Sequence, residues 1–204
     1  MKTVHDFLIS PVNKKRYNNV KKVGDKELII NTEISNHQYI NREAIVEAIP
    51  TSYETPIKVG DTILVHHNIF RRWHNVKGVE KNSRSWYKDN LYFAELNQIY
   101  LYKRNNEWHT LDGYCFVKPL VNQNVLDTDK EDPLKGIVKY TDGTVEKNQI
   151  IGFKPYSQFE FVVDGERLYR VLSNFITIKY EYQGNEKEYN PSWAQGSGGA
   201  DKSS

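Results

Sequence analysis

Residues 66–88 hold the densest chemistry in the chain. Arg71, Arg72, Lys77, Lys81, Arg84 and Lys88 stand against one acid, Glu80, a formal charge of +5, with Phe70, Trp73, Trp86 and Tyr87 among them. Basic side chains that follow phosphates and rings that stack bases would make a single-strand binder. Arg, Trp and Tyr are also the residues of protein interface hot spots, and the same pattern suits a solvated hairpin whose tryptophans pack on the body. Arg71, Arg72, Trp73, Trp86 and Tyr87 are therefore the candidate interface residues. His66-His67 with His74 invite a metal reading. Neighbours on a strand point to opposite faces, and no Cys or carboxylate sits at ligand spacing, so no metal is expected. The lone cysteine, Cys115, lies between Tyr114 and Phe116 in a strand-like run and reads as a buried thiol. No nucleophile elbow, phosphate loop or dinucleotide fingerprint occurs. No catalytic residue, no cofactor and no enzyme activity are expected.

The elements that position these residues are strands. Aromatics make up 13% of the 204 residues, and with the many Val, Ile and Thr they favour sheet. Alternating or β-branched runs recur at 6–9, 44–49, 62–65 and 98–102, separated by turn signals at Gly60-Asp61, Asp142-Gly143 and Asp164-Gly165. No sustained helical stripe appears. The totals of 28 Lys+Arg and 26 Asp+Glu give +2, so nucleic acid is the least favoured partner. Apolar runs are far too short to cross a bilayer. The start of the chain reaches Asp6 with no apolar signal core, so a cytoplasmic location is expected. Residues 183–204 are poor in apolar side chains and read as a flexible tail.

An internal repeat organises the rest. Residues 6–12 align with 114–120, an offset of 108, with Pro11 and Pro119 in register. Residues 43–47 align with 135–139 (offset 92), 57–63 with 145–151 (offset 88), and 91–101 with 168–178 (offset 77). The falling offsets place insertions of 16, 4 and 11 residues in the first copy.

Each copy resembles the GroES-type co-chaperonins. The first shows Val4-His5-Asp6-Phe7-Leu8-Ile9, then Arg42-Glu43-Ala44-Ile45-Val46-Glu47-Ala48-Ile49, then Lys58-Val59-Gly60-Asp61-Thr62-Ile63-Leu64-Val65, and closes on Glu95-Leu96-Asn97-Gln98-Ile99-Tyr100. The second keeps the strand pattern but has Asn148-Gln149 where Gly-Asp is expected. The tandem arrangement looks like the double co-chaperonins of chloroplasts, and the composition and insertions look like a divergent bacteriophage-encoded relative.

The resemblance implies an all-β fold of two partly open barrels, at 1–110 and 111–182, with a mobile loop at 13–41 and the basic aromatic insertion at 66–90. It implies a homo-oligomer that caps a chaperonin ring, in the cytoplasm of the cell or host. The docking residues it implies are Leu28, Ile29 and Ile30, an apolar triplet among polar neighbours. Two readings of that triplet stay open. It is a docking patch on a flexible tether, or the second strand of a hairpin turning at Gly24-Asp25 with the triplet buried. The second copy offers only Val125 and Leu126 at that place. The rival function is a structural protein of a virion that keeps the fold and binds viral structural proteins.

Overall fold

The computed structural model describes residues 2–29, 32–34, 36–123 and 130–195. The fold is all-β, and the chain divides into two compact units, Met1–His109 and Thr110–Ser204. The first unit holds β1 (Phe7–Pro11), β2 (Val20–Val23), β3 (Lys26–Ile29), β4 (Glu43–Ala48), β5 (Thr62–Val65), β6 (Arg72–His74), β7 (Glu80–Asn82), β8 (Trp86–Lys88), β9 (Leu91–Ala94), β10 (Ile99–Arg104) and β11 (Glu107–Thr110). The second follows with β12 (Tyr114–Val121), β13 (Glu131–Tyr140), β14 (Ile150–Phe153), β15 (Gln158–Val163), β16 (Glu166–Leu172), β17 (Ile176–Tyr180) and one helical turn, α1 (Ser192–Gln195).

The main sheet of the first unit runs β11-β10-β5-β4-β1-β9-β8, and that of the second runs β15-β16-β12-β13-β14-β17. Read from the other end, the second order is β17-β14-β13-β12-β16-β15. Strand for strand it is the first sheet without β11. The registers agree as well. Leu8 pairs with Ala48 and Ile9 with Val46 across a bulge, and Phe116 pairs with Tyr140 and Val117 with Val138 across a bulge at the same place. Ile63 pairs with Ala44 and with Tyr102, and Ile151 with Gly136 and with Lys179. Every one of these partners is displaced by the offset expected from sequence.

Turn chemistry repeats too. Gly60 (φ +89°) donates its N–H to Val46 at 2.8 Å, and Asn148 (φ +68°) donates to Val138 at 2.8 Å. Asn tolerates the left-handed region better than other residues with a side chain, which is why it can replace the glycine. At the next position the units part. Asp61, nearly buried, accepts from Arg104 at 2.5 Å and from the Lys58 N–H at 2.8 Å. The corresponding residues are Gln149 and Glu181, which cannot form that pair.

Phe7, Leu8 and Ile9 are all fully buried, as are Ile63, Leu64 and Val65. A helix-poor unit can bury both faces of its central strands only if the sheet curls over its own core, yet each sheet retains two ends and stays open. In the second unit that core joins Cys115, Val117, Val138, Ile151, Phe153 and Val171. Cys115 is buried, as its strand context predicts. Gly136 sits where a Cβ would meet the Lys118 carbonyl oxygen and the Val117 side chain at 2.8 Å, so only glycine fits there without a shift.

The C-terminal segment corrects the expectation of a flexible tail from residue 183. Lys187 accepts from the Val121 N–H, Tyr189 donates to Pro119, and Leu120 and Glu188 form an antiparallel bridge. Lys118 donates to both Glu188 carboxylate oxygens at 2.9 Å. Asn190 accepts from the Arg167 N–H and donates to Gly165, and Ala194 is fully buried. The physical reason is that strand edges and side-chain amides, not apolar content, hold this segment. Residues 196–204 lie outside the described residues.

Candidate interaction surface in the first unit

Two additions to the shared sheet fall in the first unit beside the end strand β11. One is the loop between β1 and β4, and the other is the β6–β7 hairpin. Within the loop, β2 and β3 form a two-stranded sheet with Val20 opposite Ile29 and Lys21 opposite Leu28. Their connection is two residues, Gly24-Asp25, with Gly24 at φ +60°, the conformation that makes glycine the favoured first residue of such a turn.

The hairpin forms as the second open reading expects, but Leu28 and Ile29 are not buried as that reading has them. Leu28 is 51% and Ile29 is 66% exposed. Successive strand residues point to opposite faces, so both faces of β3 meet solvent. A lone two-stranded hairpin is marginal in water, and this one carries Leu28 and Ile29 outward. Ile30, the third residue of the triplet, lies outside the described residues, as do Val125 and Leu126 of the second unit.

The base of the loop is tightly organised. Tyr17 bridges Ile40, Asn18 donates to Tyr39 at 2.7 Å and Asn41 to Arg16 at 2.9 Å, which closes the neck. The Asn41 side chain also donates to Val12 and Lys15. On the descending side His37 lies 5.5 Å from His67, which stacks on His66 at 4.3 Å. Burial, then the neighbouring His66, Arg42, His37 and Arg71, push His67 down to about 3, so it is neutral near pH 7. The strand expectation for the His66-His67 pair is corrected here. β5 ends at Val65, His66 caps a 3₁₀ turn through the Asn68 N–H, and the rings stack instead of facing apart. Among the described residues no three His, Cys, Asp or Glu side chains are grouped to hold a metal ion.

The basic aromatic stretch divides in two. Arg72 and Trp73 belong to the β6–β7 hairpin, which has no counterpart in the second unit, and Arg71 immediately precedes it. Trp86 and Tyr87 belong to β8, the end strand of the main sheet, so they are not part of an insertion. Spacing alone could not reveal this, because β8 is only three residues long and Ser83-Arg84-Ser85 before it give no distinctive turn signal. Trp73 is 46% exposed and donates its indole N–H to Asn82, while Trp86 is 41% exposed and donates to Asp89. With their polar atoms satisfied inside the chain, the rings present apolar surface to solvent. Arg72 takes Glu80 at 3.0 Å, and the other five cations of the stretch make no ion pair among the described residues. Tyr87 also lines a cleft of about 380 Å³ with Val4, Leu8 and Phe93.

The residues that sequence reasoning missed are Arg16 and Tyr17. They stand in a polar run, and no local signal marks them.

No helix among the described residues is long and apolar enough to cross a membrane. No known family's sequence model matches the chain, and no curated protein matches it.

Proposed function

We propose that the protein is a co-chaperonin-like docking protein that assembles as an oligomer and engages a chaperonin ring through its β2–β3 hairpin. One observation carries the reading: an apolar strand, Leu28 and Ile29, is held away from the core at the end of a long loop. Such a strand can fill an apolar groove or add to a partner's sheet edge, with main-chain bonds giving affinity and alternate side chains giving selectivity. The ordering cost of the loop keeps the complex releasable. The duplicated sheet and the residues quoted for the resemblance support the same reading.

The rival reading, a virion structural protein, draws on the exposed Trp73, Trp86 and Tyr87. The experiment that separates them is negative-stain imaging of the purified chain with a chaperonin ring and nucleotide. Rings capped by the chain, lost in a Leu28→Ser and Ile29→Ser variant of unchanged melting temperature, support docking. No capping by the unaltered chain overturns it.

A further inference from the structure

We infer that the β6–β7 hairpin is the seat of the 13–41 loop and that Arg16 pins the two together, so that loop and hairpin open as one unit. The docking use of this device rests on the reading above; the coupling itself does not.

Arg16 reaches from the ascending side of the loop into the other addition. Its Nε donates to Phe70 at 3.1 Å, one terminal nitrogen to the Asn82 side chain at 2.7 Å and the other to Arg71 at 3.3 Å, while the guanidinium lies 5.5 Å from the Tyr92 ring centre. A rigid planar fork is suited to holding several acceptors at once, as a lysine is not. The next residue repeats the pattern. The Tyr17 hydroxyl accepts from the Arg72 N–H at 3.0 Å and donates to Ile34 at 2.8 Å, and the Arg72 guanidinium lies 4.8 Å from the Tyr17 ring centre. One phenol thus joins the seat to both limbs of the loop. Asn82, which receives Arg16 through its side chain, receives the Trp73 indole through its carbonyl. The pin therefore ends on the residue that orients an exposed tryptophan.

The comparison between units strengthens the argument. β14 leads to β15 with no intervening hairpin, and the described part of the β12–β13 connection holds no second sheet. Loop and seat occur in the same unit, and each supplies the other's hydrogen-bond partners. Such coupling is reciprocal: loosening either side must loosen the other.

The test is amide hydrogen exchange read by mass spectrometry on the full chain. Arg16→Lys keeps the charge and loses the fork, and Asn82→Ala removes the acceptor from the hairpin side. In both, exchange at 13–29, 36–41 and 70–82 should rise together at least tenfold, with 110–195 unchanged. Movement of loop or hairpin alone, or of neither, overturns the inference. Should either variant loosen the whole chain, Tyr17→Phe decides, since it deletes only one hydroxyl: joint loosening of loop and hairpin supports the seat, and no change overturns it. Chaperonin capping by the unaltered chain is scored separately. Coupled exchange without capping leaves the seat and removes the docking reading, and capping with uncoupled exchange does the reverse.

Discussion

Where β1 of the first unit gives way to the loop, β12 of the second unit runs on to Val121 and takes the chain's own C-terminal segment along its edge. The same sheet therefore ends in two opposite ways. In the second unit the charges close on one another: Arg167 donates to Glu131, to Glu160 at 2.7 Å and to the Tyr169 hydroxyl at 2.7 Å, and Lys118 and Lys139 share Glu166. In the first unit Arg71, Lys77, Lys81, Arg84 and Lys88 are left without carboxylate partners among the described residues, beside exposed Trp73 and Trp86. The shared scaffold carries its loop and its extra hairpin in one copy, while the other exposes Tyr156, Tyr182 and Trp193 on the scaffold itself. Function on a fold resides in what is grafted onto it, and here both grafts sit on the same copy and are bonded to each other.

The largest expected effect tests the scaffold equivalence itself. Leu8 and Phe116 occupy the same register position and are both fully buried. Leu8→Ala should cost about 2–5 kcal/mol and Phe116→Ala about 3–5 kcal/mol in denaturant unfolding. A cost below about 1 kcal/mol at either would break the equivalence.

A smaller effect sharpens the divergence. Asp61→Ala removes the acceptor of Arg104 and of the Lys58 N–H, so a loss of about 1–3 kcal/mol is expected. Gln149→Ala, at the matching position, removes no ion pair and should cost less. Equal costs would show that the Asp61 pair contributes nothing particular to the first unit.

The scaffold was legible in the chain because register is written in alternation and in turn residues. Pro11 and Pro119, Gly60 and Asn148, and the four offsets all survive into the pairing. The hairpin turn at Gly24-Asp25 was one of two readings that the chain left open. What stayed hidden depends on partners distant in sequence. The exposure of Leu28 and Ile29 follows from what does not pack on them, and the role of Arg16 follows from acceptors 54 to 66 residues away. The C-terminal segment was missed because its attachment uses Lys118 and Arg167 in place of apolar residues.

Acid should distinguish the units. His67 titrates near 3 in the fold but near its ordinary 6.5 when unfolded, so between these values the unfolded chain binds more protons and stability falls as pH falls. The loss should begin below about pH 6.5, and His67→Gln should flatten it. The matching residue of the second unit is Pro155, which cannot titrate. There Asp142 is the sensitive group. Burial opposes its ionisation, but hydrogen bonds from Ser173, Thr144 and Gly113 outweigh it and hold the carboxyl below its ordinary 3.8. Its contribution is lost only as pH falls below about 4. Exchange measured across pH 7 to 4 should thus loosen the first unit before the second. Simultaneous loosening, or no effect of His67→Gln, would remove the distinction.

The smallest expected change in stability is the most informative about the graft. If β3 holds its apolar residues in solvent, Leu28→Ser with Ile29→Ser removes little buried surface, and unfolding free energy should move by no more than about 0.5 kcal/mol. Cutting back a buried aliphatic pair would instead cost several kcal/mol, since each such side chain contributes about 2–5 kcal/mol when truncated in a core. Apolar residues so exposed on both faces of a strand add nothing to folding and invite association, so their presence calls for a partner. A near-zero change in denaturant unfolding would place Leu28 and Ile29 outside the cooperative core. A loss above about 2 kcal/mol would show that the strand packs in solution, and the contrast between the loop of the first unit and the edge-bound C-terminal segment of the second would fail at its most exposed point.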